Sequence, residues 1–146
     1  MSVIKNKSHV QEYIYDFDVD GGTTGAIDLS AKAGYSPLPD NAIIKDVTML
    51  VETAVAGTSS TVAVGNTTDP DGYMAAIAEA TLVADYVTAA GVQAGALLWD
   101  DTNDHMIPFL CNSANDRVFS ITIGTADLTA GKVRFMVEYL LSSSEQ

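Results

Sequence analysis

Two runs rich in β-branched residues, LPDNAIIKDVTMLVETA at residues 38–54 and TVAVG at residues 61–65, decide the fold class of this sequence. A proline precedes the first run, and a Gly-Thr-Ser-Ser break at residues 57–60 separates the two. Val, Ile and Thr favour extended backbone, and Gly and Ser favour turns, so this is the pattern of strand, turn and strand. The sequence therefore predicts a pair of strands here, not a catalytic site.

The same pattern returns near the other end of the sequence. RVFSITIG at residues 117–124 leads through TADLTAG into KVRFMVEY at residues 132–139. Both runs are rich in β-branched and aromatic residues, and a glycine closes the segment between them. The sequence predicts a β-hairpin at this end as well.

Shorter patterns fill the first half of the chain. Residues 12–20 alternate between apolar and acidic side chains, which predicts a strand with one acidic face. A glycine-rich break follows, and residues 26–29 form a short second strand. Asp69-Pro70-Asp71-Gly72 matches a type I turn. Apolar residues at helical spacing then predict one short helix over residues 73–83.

The second half is predicted to contain one further strand pair. Residues 84–95 are small and indicate a loop or a weak strand. Residues 96–99 and 105–111 form the strand pair around a polar turn, and Pro108 indicates an edge strand or a bulge because proline has no amide hydrogen to donate. The aromatic residues in alternating positions are predicted to face the core.

About eight strands with at most one short helix predict an all-β protein, a jelly-roll-like antiparallel β-sandwich. An immunoglobulin-like sandwich is the alternative. A length of 146 residues, 47% of them hydrophobic, suits one domain with a sizeable core. We expect a flexible arm at residues 1–9, a single sandwich domain at residues 10–141 and a frayed tail at residues 142–146.

The chain is strongly acidic, with 19 Asp and Glu against seven Lys and Arg and a formal net charge of -12. Such a surface repels phosphate, so nucleic acid and anionic membranes are not expected partners. The polar start and the lack of a long apolar run predict a protein that stays soluble in the cytoplasm where it is made. Cys111, the single cysteine, is predicted to be a small buried side chain.

Two acidic clusters are candidate calcium sites. Asp16-x-Asp18-x-Asp20-Gly21 matches the start of an EF-hand loop, but Ile27 stands where the loop needs a bidentate acid, so a solvated strand face is favoured. The second cluster consists of Asp100, Asp101 and Asp104, which suit a polar hairpin turn equally well. No metal and no cofactor is expected.

The sequence does not predict an enzyme. His9 falls in the predicted arm and His105 at a strand start, and the nucleophile, phosphate-loop and zinc motifs are absent. A catalytic pair of carboxylates, as in glycosidases, remains an alternative, but the sequence favours no particular two acids. Trp99 beside Asp100 and Asp101 leaves a carbohydrate-binding module as an alternative function, with these residues and Asp104 as glycan or calcium contacts.

The sequence resembles the small auxiliary proteins of tailed-bacteriophage virions, the capsid decoration or cement proteins and the related head-fibre proteins. The matching segments are IIKDVTMLVET at residues 43–53, TVAVGNTTDPDGY at residues 61–73 and LTAGKVRFMVEY at residues 128–139. The resemblance implies a jelly-roll protein on the outer capsid surface, often a homotrimer at three-fold positions, that bridges major capsid subunits. Tail or fibre modules of phages are the context for the carbohydrate-binding alternative.

Lys5 and Lys7 are the candidates for contacting the capsid. They lie on the predicted arm, which is free to extend, and would reach an acidic neighbour. A role in solubility alone explains the two lysines equally well, because exposed ion pairs contribute little free energy to a contact.

Overall fold

The structure, a computed structural model, describes residues 8–89 and 95–141. Within these ranges the helical structure consists of one α-helical turn, α1 (Phe17–Asp20), and two 3-10 turns at Leu29–Ala31 and Glu79–Thr81. None of the helices described is long and apolar enough to cross a membrane. The strands in the same ranges are β1 (His9–Asp16), β2 (Gly25–Asp28), β3 (Ala42–Gly57), β4 (Thr61–Gly65), β5 (Met74–Ala78), β6 (Val87–Ala89), β7 (Trp99–Asp100), β8 (His105–Met106), β9 (Phe109–Cys111), β10 (Ser120–Gly124) and β11 (Leu128–Leu141).

Most of these strands form two antiparallel sheets that pack face to face. The long-strand sheet has the order β1-β11-β3-β6, and β9 also pairs with β3. The short-strand sheet has the order β2-β10-β4-β5, and β7 pairs with β8 in a separate hairpin. The predicted antiparallel β-sandwich is therefore confirmed.

The core lies between the two sheets and is built around aromatic rings. Tyr13, Tyr73, Phe119 and Phe135 are fully buried. The Phe119 ring centroid lies 4.6 Å from that of Tyr13, 5.5 Å from that of Phe135 and 6.0 Å from that of Tyr73. Because Tyr13 and Phe135 belong to β1 and β11, while Phe119 directly precedes β10, this cluster joins the two sheets.

Both predicted hairpins are wrong in their pairing. β3 ends at Gly57 in the long-strand sheet, and the chain crosses to the short-strand sheet before β4 begins. β10 and β11 likewise lie in opposite sheets. β10 pairs with β4 in the short-strand sheet, and β11 pairs with β3 in the long-strand sheet. The two crossings meet, because the Ser60 hydroxyl donates to the Asp127 carbonyl at 3.1 Å. A sandwich corner and a hairpin need the same turn residues, so the local pattern does not separate them.

The predicted helix over residues 73–83 is also wrong, because this segment contains β5 and a 3-10 turn. Met74 pairs with Val64 and Ile77 pairs with Val62, so three steps along β5 correspond to two along β4. This bulge puts Met74 and Ile77, both buried, on one face of a strand. Their spacing of three is the spacing that indicated a helix in the sequence.

The first predicted strand ends earlier than expected. β1 stops at Asp16, whose carboxylate accepts from the Asp18 N–H at 3.0 Å and so begins α1. Gly21 ends this turn with a backbone φ of 75°, a conformation that residues other than glycine adopt only at an energetic cost. Val19 is consequently 73% exposed and does not continue the buried face. At its other end β1 begins at His9, inside the predicted arm.

The predicted strand pair at residues 96–99 and 105–111 is divided. Only Trp99 and Asp100 pair with His105 and Met106, and Pro108 lies between this hairpin and β9. β9 pairs with β3 in the long-strand sheet instead. The loop or weak strand predicted at residues 84–95 contains β6, and its residues 90–94 lie outside the described part of the chain.

Candidate interaction surface

The predicted acidic turn lies at the tip of the β7–β8 hairpin. Asp100 Oδ1 accepts from the backbone N–H groups of Thr102 at 2.9 Å and Asn103 at 3.2 Å, and Oδ2 accepts from the Asn103 side chain at 2.8 Å. The Asn103 side chain is the main cause of a lowered Asp100 pKa. Both oxygens of this carboxylate therefore close the turn, as in an Asx turn. Trp99, beside it, is half-buried.

The other acids predicted as metal candidates are dispersed. Asp101 and Asp104 are exposed at the hairpin tip. Asp20 Oδ2 accepts from the Asp16 N–H at 2.9 Å and pairs with Lys32 Nζ at 2.8 Å, so it belongs to a buried ion pair. Among residues 8–89 and 95–141, no group of three or more His, Cys, Asp or Glu side chains is placed to hold a metal ion. The glycan or calcium site at the hairpin stays a prediction.

The groups considered for catalysis are held in structural contacts. The His9 ring stacks on Tyr139 with 5.3 Å between centroids, and His105 Nδ1 lies 3.3 Å from the Asn103 carbonyl oxygen. Cys111 is buried, as predicted, and its thiol donates to the Asp116 carbonyl at 3.4 Å. Burial raises the pKa of this thiol to about 11, which keeps it protonated at neutral pH. Lys5 and Lys7 lie outside the described residues.

A cleft of about 350 Å³ opens where α1 meets the start of β11. Its acidic residues are Asp16, which caps α1, and Asp18. Lys132, which also lines the cleft, has its Nζ 3.7 Å from Glu52 Oε2. Asp16 and Lys132 thus take part in contacts of the fold itself.

Sequence reasoning missed the outer face of the long-strand sheet, which consists of the side chains that alternate with the core residues. The strand register places Ile14 opposite Arg134, Arg134 opposite Leu50, and Leu50 opposite Val87. The larger apolar side chains of this outer face, within the described residues, are Val10, Ile14, Ile43, Leu50, Val87, Leu110, Met136 and Leu140. The period-two alternation of β3 and β11 was the signal that could have identified them.

Ion pairs cross the outer face between strands. Arg134 donates from Nε to Glu52 at 2.6 Å and from Nη1 to Glu12 at 2.5 Å, which joins β1, β11 and β3. Lys132 also pairs with Glu52 at 3.7 Å. The bond from Arg134 is the main cause of a lowered Glu52 pKa, and the two glutamates raise the pKa of Arg134. Both of these cations are therefore paired with glutamates of neighbouring strands.

The contribution of Glu52 to stability should depend on pH. Its carboxyl has a lowered pKa in the folded protein, whereas its ordinary pKa in an unfolded chain is about 4.5. The stabilisation is therefore present above that pH and is lost as the pH falls through the folded value. We expect Glu52→Gln to lower the free energy of unfolding by about 0.5–1 kcal/mol at pH 7 and by progressively less as the pH falls below the value for the unfolded chain. Urea unfolding of both proteins across this range measures the difference.

Glu138→Gln is the matched control, because it removes a longer and more exposed pair with Lys45, at 3.8 Å. Its effect at pH 7 should be smaller than that of Glu52→Gln. A Glu52→Gln effect that does not diminish as the pH is lowered would show that the network does not act through charge.

The outer face of the short-strand sheet is different in character. Thr122 of β10 lies between Ala26 of the edge strand β2 and Ala63 of β4, and Thr61 lies opposite Gly124. The side chains here are small, so they offer little apolar area. The two faces of the sandwich are thus chemically distinct.

Solved structures share this fold over most of their length. The acidic stable capsid structure of Helicobacter pylori bacteriophage KHP30 contains a chain with 17% identity and a TM-score of 0.57, and the match covers 93% of this chain and 89% of that one. A chain in the cyanophage Pam1 capsid asymmetric unit has 21% identity and a TM-score of 0.57, and the match covers 97% of this chain and 89% of that one. A chain in the capsid of Ralstonia phage GP4 has 14% identity and a TM-score of 0.55, and the match covers 94% of this chain and 85% of that one.

At these identities the similarity shows a shared fold. No protein-family model and no curated protein matches the sequence. The finding is therefore a fold similarity to phage capsid structures.

Proposed function

We propose that this protein is a structural component of a bacteriophage virion, a decoration or cement protein on the outer surface of the capsid. The observation behind this proposal is the fold similarity to chains in three phage capsid structures, over 93–97% of this chain. The match also covers 85–89% of those chains, so they are of similar small size. The similarity is thus to whole small chains and not to one domain of a large protein.

The charge of the chain supports an outer position. A net charge of -12 repels packaged DNA, because DNA affinity depends on lysines and arginines that replace counterions. The same charge favours contact with a basic surface, since opposite potentials steer association. The lysines of the N-terminal arm, Lys5 and Lys7, are the candidate contacts with acidic groups of the major capsid protein.

The proposed work is mechanical and not catalytic. The protein bridges neighbouring major capsid subunits as a homo-oligomer, with the trimer as the expected state. Each contact can be weak, because several linked contacts act together with high avidity. The protonated, buried thiol of Cys111 and the stacked ring of His9 are consistent with a structural role.

The proposal is tested by density-gradient sedimentation of a lysate from the native source, with the protein followed by peptide mass fingerprint. We expect it to comigrate with DNA-filled particles of megadalton mass. Particles made without the protein should release their DNA at a lower temperature, because the bridges between subunits are missing.

Two results would contradict the proposal. A peak only at the mass of a small oligomer would remove the virion assignment and favour the carbohydrate-binding alternative with Trp99. Equal thermal release from particles with and without the protein would remove the cementing role but keep the virion assignment.

A further inference from the structure

The outer face of the long-strand sheet contains three of the five large apolar side chains that are exposed in the described residues. Val10 is 64% exposed, Val87 58% and Leu110 41%. Val87 lies opposite Leu50 and Leu110 lies opposite Ile43, both half-buried on the same face. The exposed residues therefore belong to a patch with apolar neighbours, and patches of this kind mark interaction surfaces.

The charges of this face largely cancel within it. Three of the five lysines and arginines in residues 8–89 and 95–141 lie here, each paired with a glutamate: Lys45 with Glu138, Lys132 with Glu52, and Arg134 with Glu12 and Glu52. Asp16 and Asp46 bring the carboxylates to five against these three cations, whereas the whole chain has 19 acids against seven cations. A second acidic copy is therefore repelled less at this face than at the acidic hairpin tip.

The face is large enough for a stable contact. β3 has 16 residues and β11 has 14, and they pair along most of their length with shifts of register. The four strands β1, β11, β3 and β6 have 8, 14, 16 and 3 residues. At about 3.4 Å per residue and roughly 4.8 Å between strands, they span on the order of 650 Å². Stable interfaces bury roughly 800 Å² on each partner, so most of such an area is available on this one face.

We infer that the outer face of the long-strand sheet is the surface through which copies of this chain associate with each other. The apolar residues of one copy pack on those of the next, and the paired cations of each copy reduce the repulsion between the two acidic faces. A second copy fits better than a strongly basic partner, because such a partner would find little unpaired negative charge here. This face is thus the contact surface of the homo-oligomer in the proposed function, on which it rests. Association of the purified chain through this face does not require a capsid.

The test is the mass of the purified full chain in solution, measured by sedimentation velocity and light scattering at about 10–100 µM. We expect the mass of two or three chains for the natural sequence. Val87→Lys should weaken association at least about 100-fold, because it places an unpaired charge in the contact. The substituted side chain is 58% exposed in the single chain, so folding is preserved.

Val19→Lys is the matched control, since it makes the same replacement at a valine that is 73% exposed in α1, outside this face. It should leave the oligomer unchanged. Leu50→Lys should act like Val87→Lys at the neighbouring position, with far-ultraviolet circular dichroism as the check on folding. A monomeric natural sequence at 100 µM, an oligomer insensitive to Val87→Lys, or equal dissociation by Val19→Lys would overturn the inference. None of these results would affect comigration with virions, so the two proposals fail separately.

Discussion

Phe119→Ala is expected to lower the free energy of unfolding by about 3–5 kcal/mol, the range for truncating a buried phenylalanine. The ring is fully buried and packs on Tyr13, Tyr73 and Phe135 with centroid separations of 4.6 to 6.0 Å. Tyr13 and Phe135 belong to the long-strand sheet, while Tyr73 and Phe119 directly precede strands of the short-strand sheet, so we expect the cavity to close only if one sheet moves relative to the other. Since domains are stable by only about 5–15 kcal/mol, the variant should lose a large part of its stability.

Equilibrium urea unfolding followed by circular dichroism measures this loss. Phe119→Leu keeps much of the volume and should cost clearly less than Phe119→Ala. Val19→Ala, at a side chain that is 73% exposed, is the surface control and should change stability by less than about 0.5 kcal/mol. Similar stability of Phe119→Ala and Val19→Ala would show that the aromatic cluster does not hold the sheets together.

Lys32→Met is expected to lower the free energy of unfolding by about 3 kcal/mol. Removing one partner of a buried ion pair leaves the charge of the other partner uncompensated. Lys32 Nζ lies 2.8 Å from Asp20 Oδ2, and the two side chains are only 17% and 6% exposed. The same ammonium group donates to the Ile14 carbonyl at 2.5 Å and lies 5.4 Å from the Tyr35 ring centroid. It therefore fastens the connection after β2 to the open edge of β1.

The control for this prediction is Lys45→Met, because its pair with Glu138 is 3.8 Å long and both side chains are more than 40% exposed, at 47% and 44%. It should cost less than about 1 kcal/mol. Adding Asp20→Asn to Lys32→Met removes the stranded charge, so the double variant should be more stable than Lys32→Met alone. Equal effects of Lys32→Met and Lys45→Met in urea unfolding would refute the importance of the buried pair.

The candidate surfaces were only partly predictable. Trp99 and Asp100 were expected beside a polar turn, and the structure places them in the β7–β8 hairpin. The network of Glu12, Glu52 and Arg134 was missed, because these residues are far apart in the sequence and meet only where β11 lies between β1 and β3. A lysine or glutamate on a strand face shows that the face is solvated, but not which partner it pairs with.

Local sequence patterns were sufficient to predict the class of the fold and the main aromatic residues of its core. Alternation of apolar residues, β-branched runs and turn residues are local, and they predicted an antiparallel sandwich with Tyr13, Phe119 and Phe135 in its core. Only the tertiary structure decided that β3 pairs with β11 and β4 with β10, and that both expected hairpins are crossings between sheets. The physical reason is that a strand satisfies its hydrogen bonds equally well beside a neighbour in sequence or a distant strand. The choice between them depends on how the whole core packs.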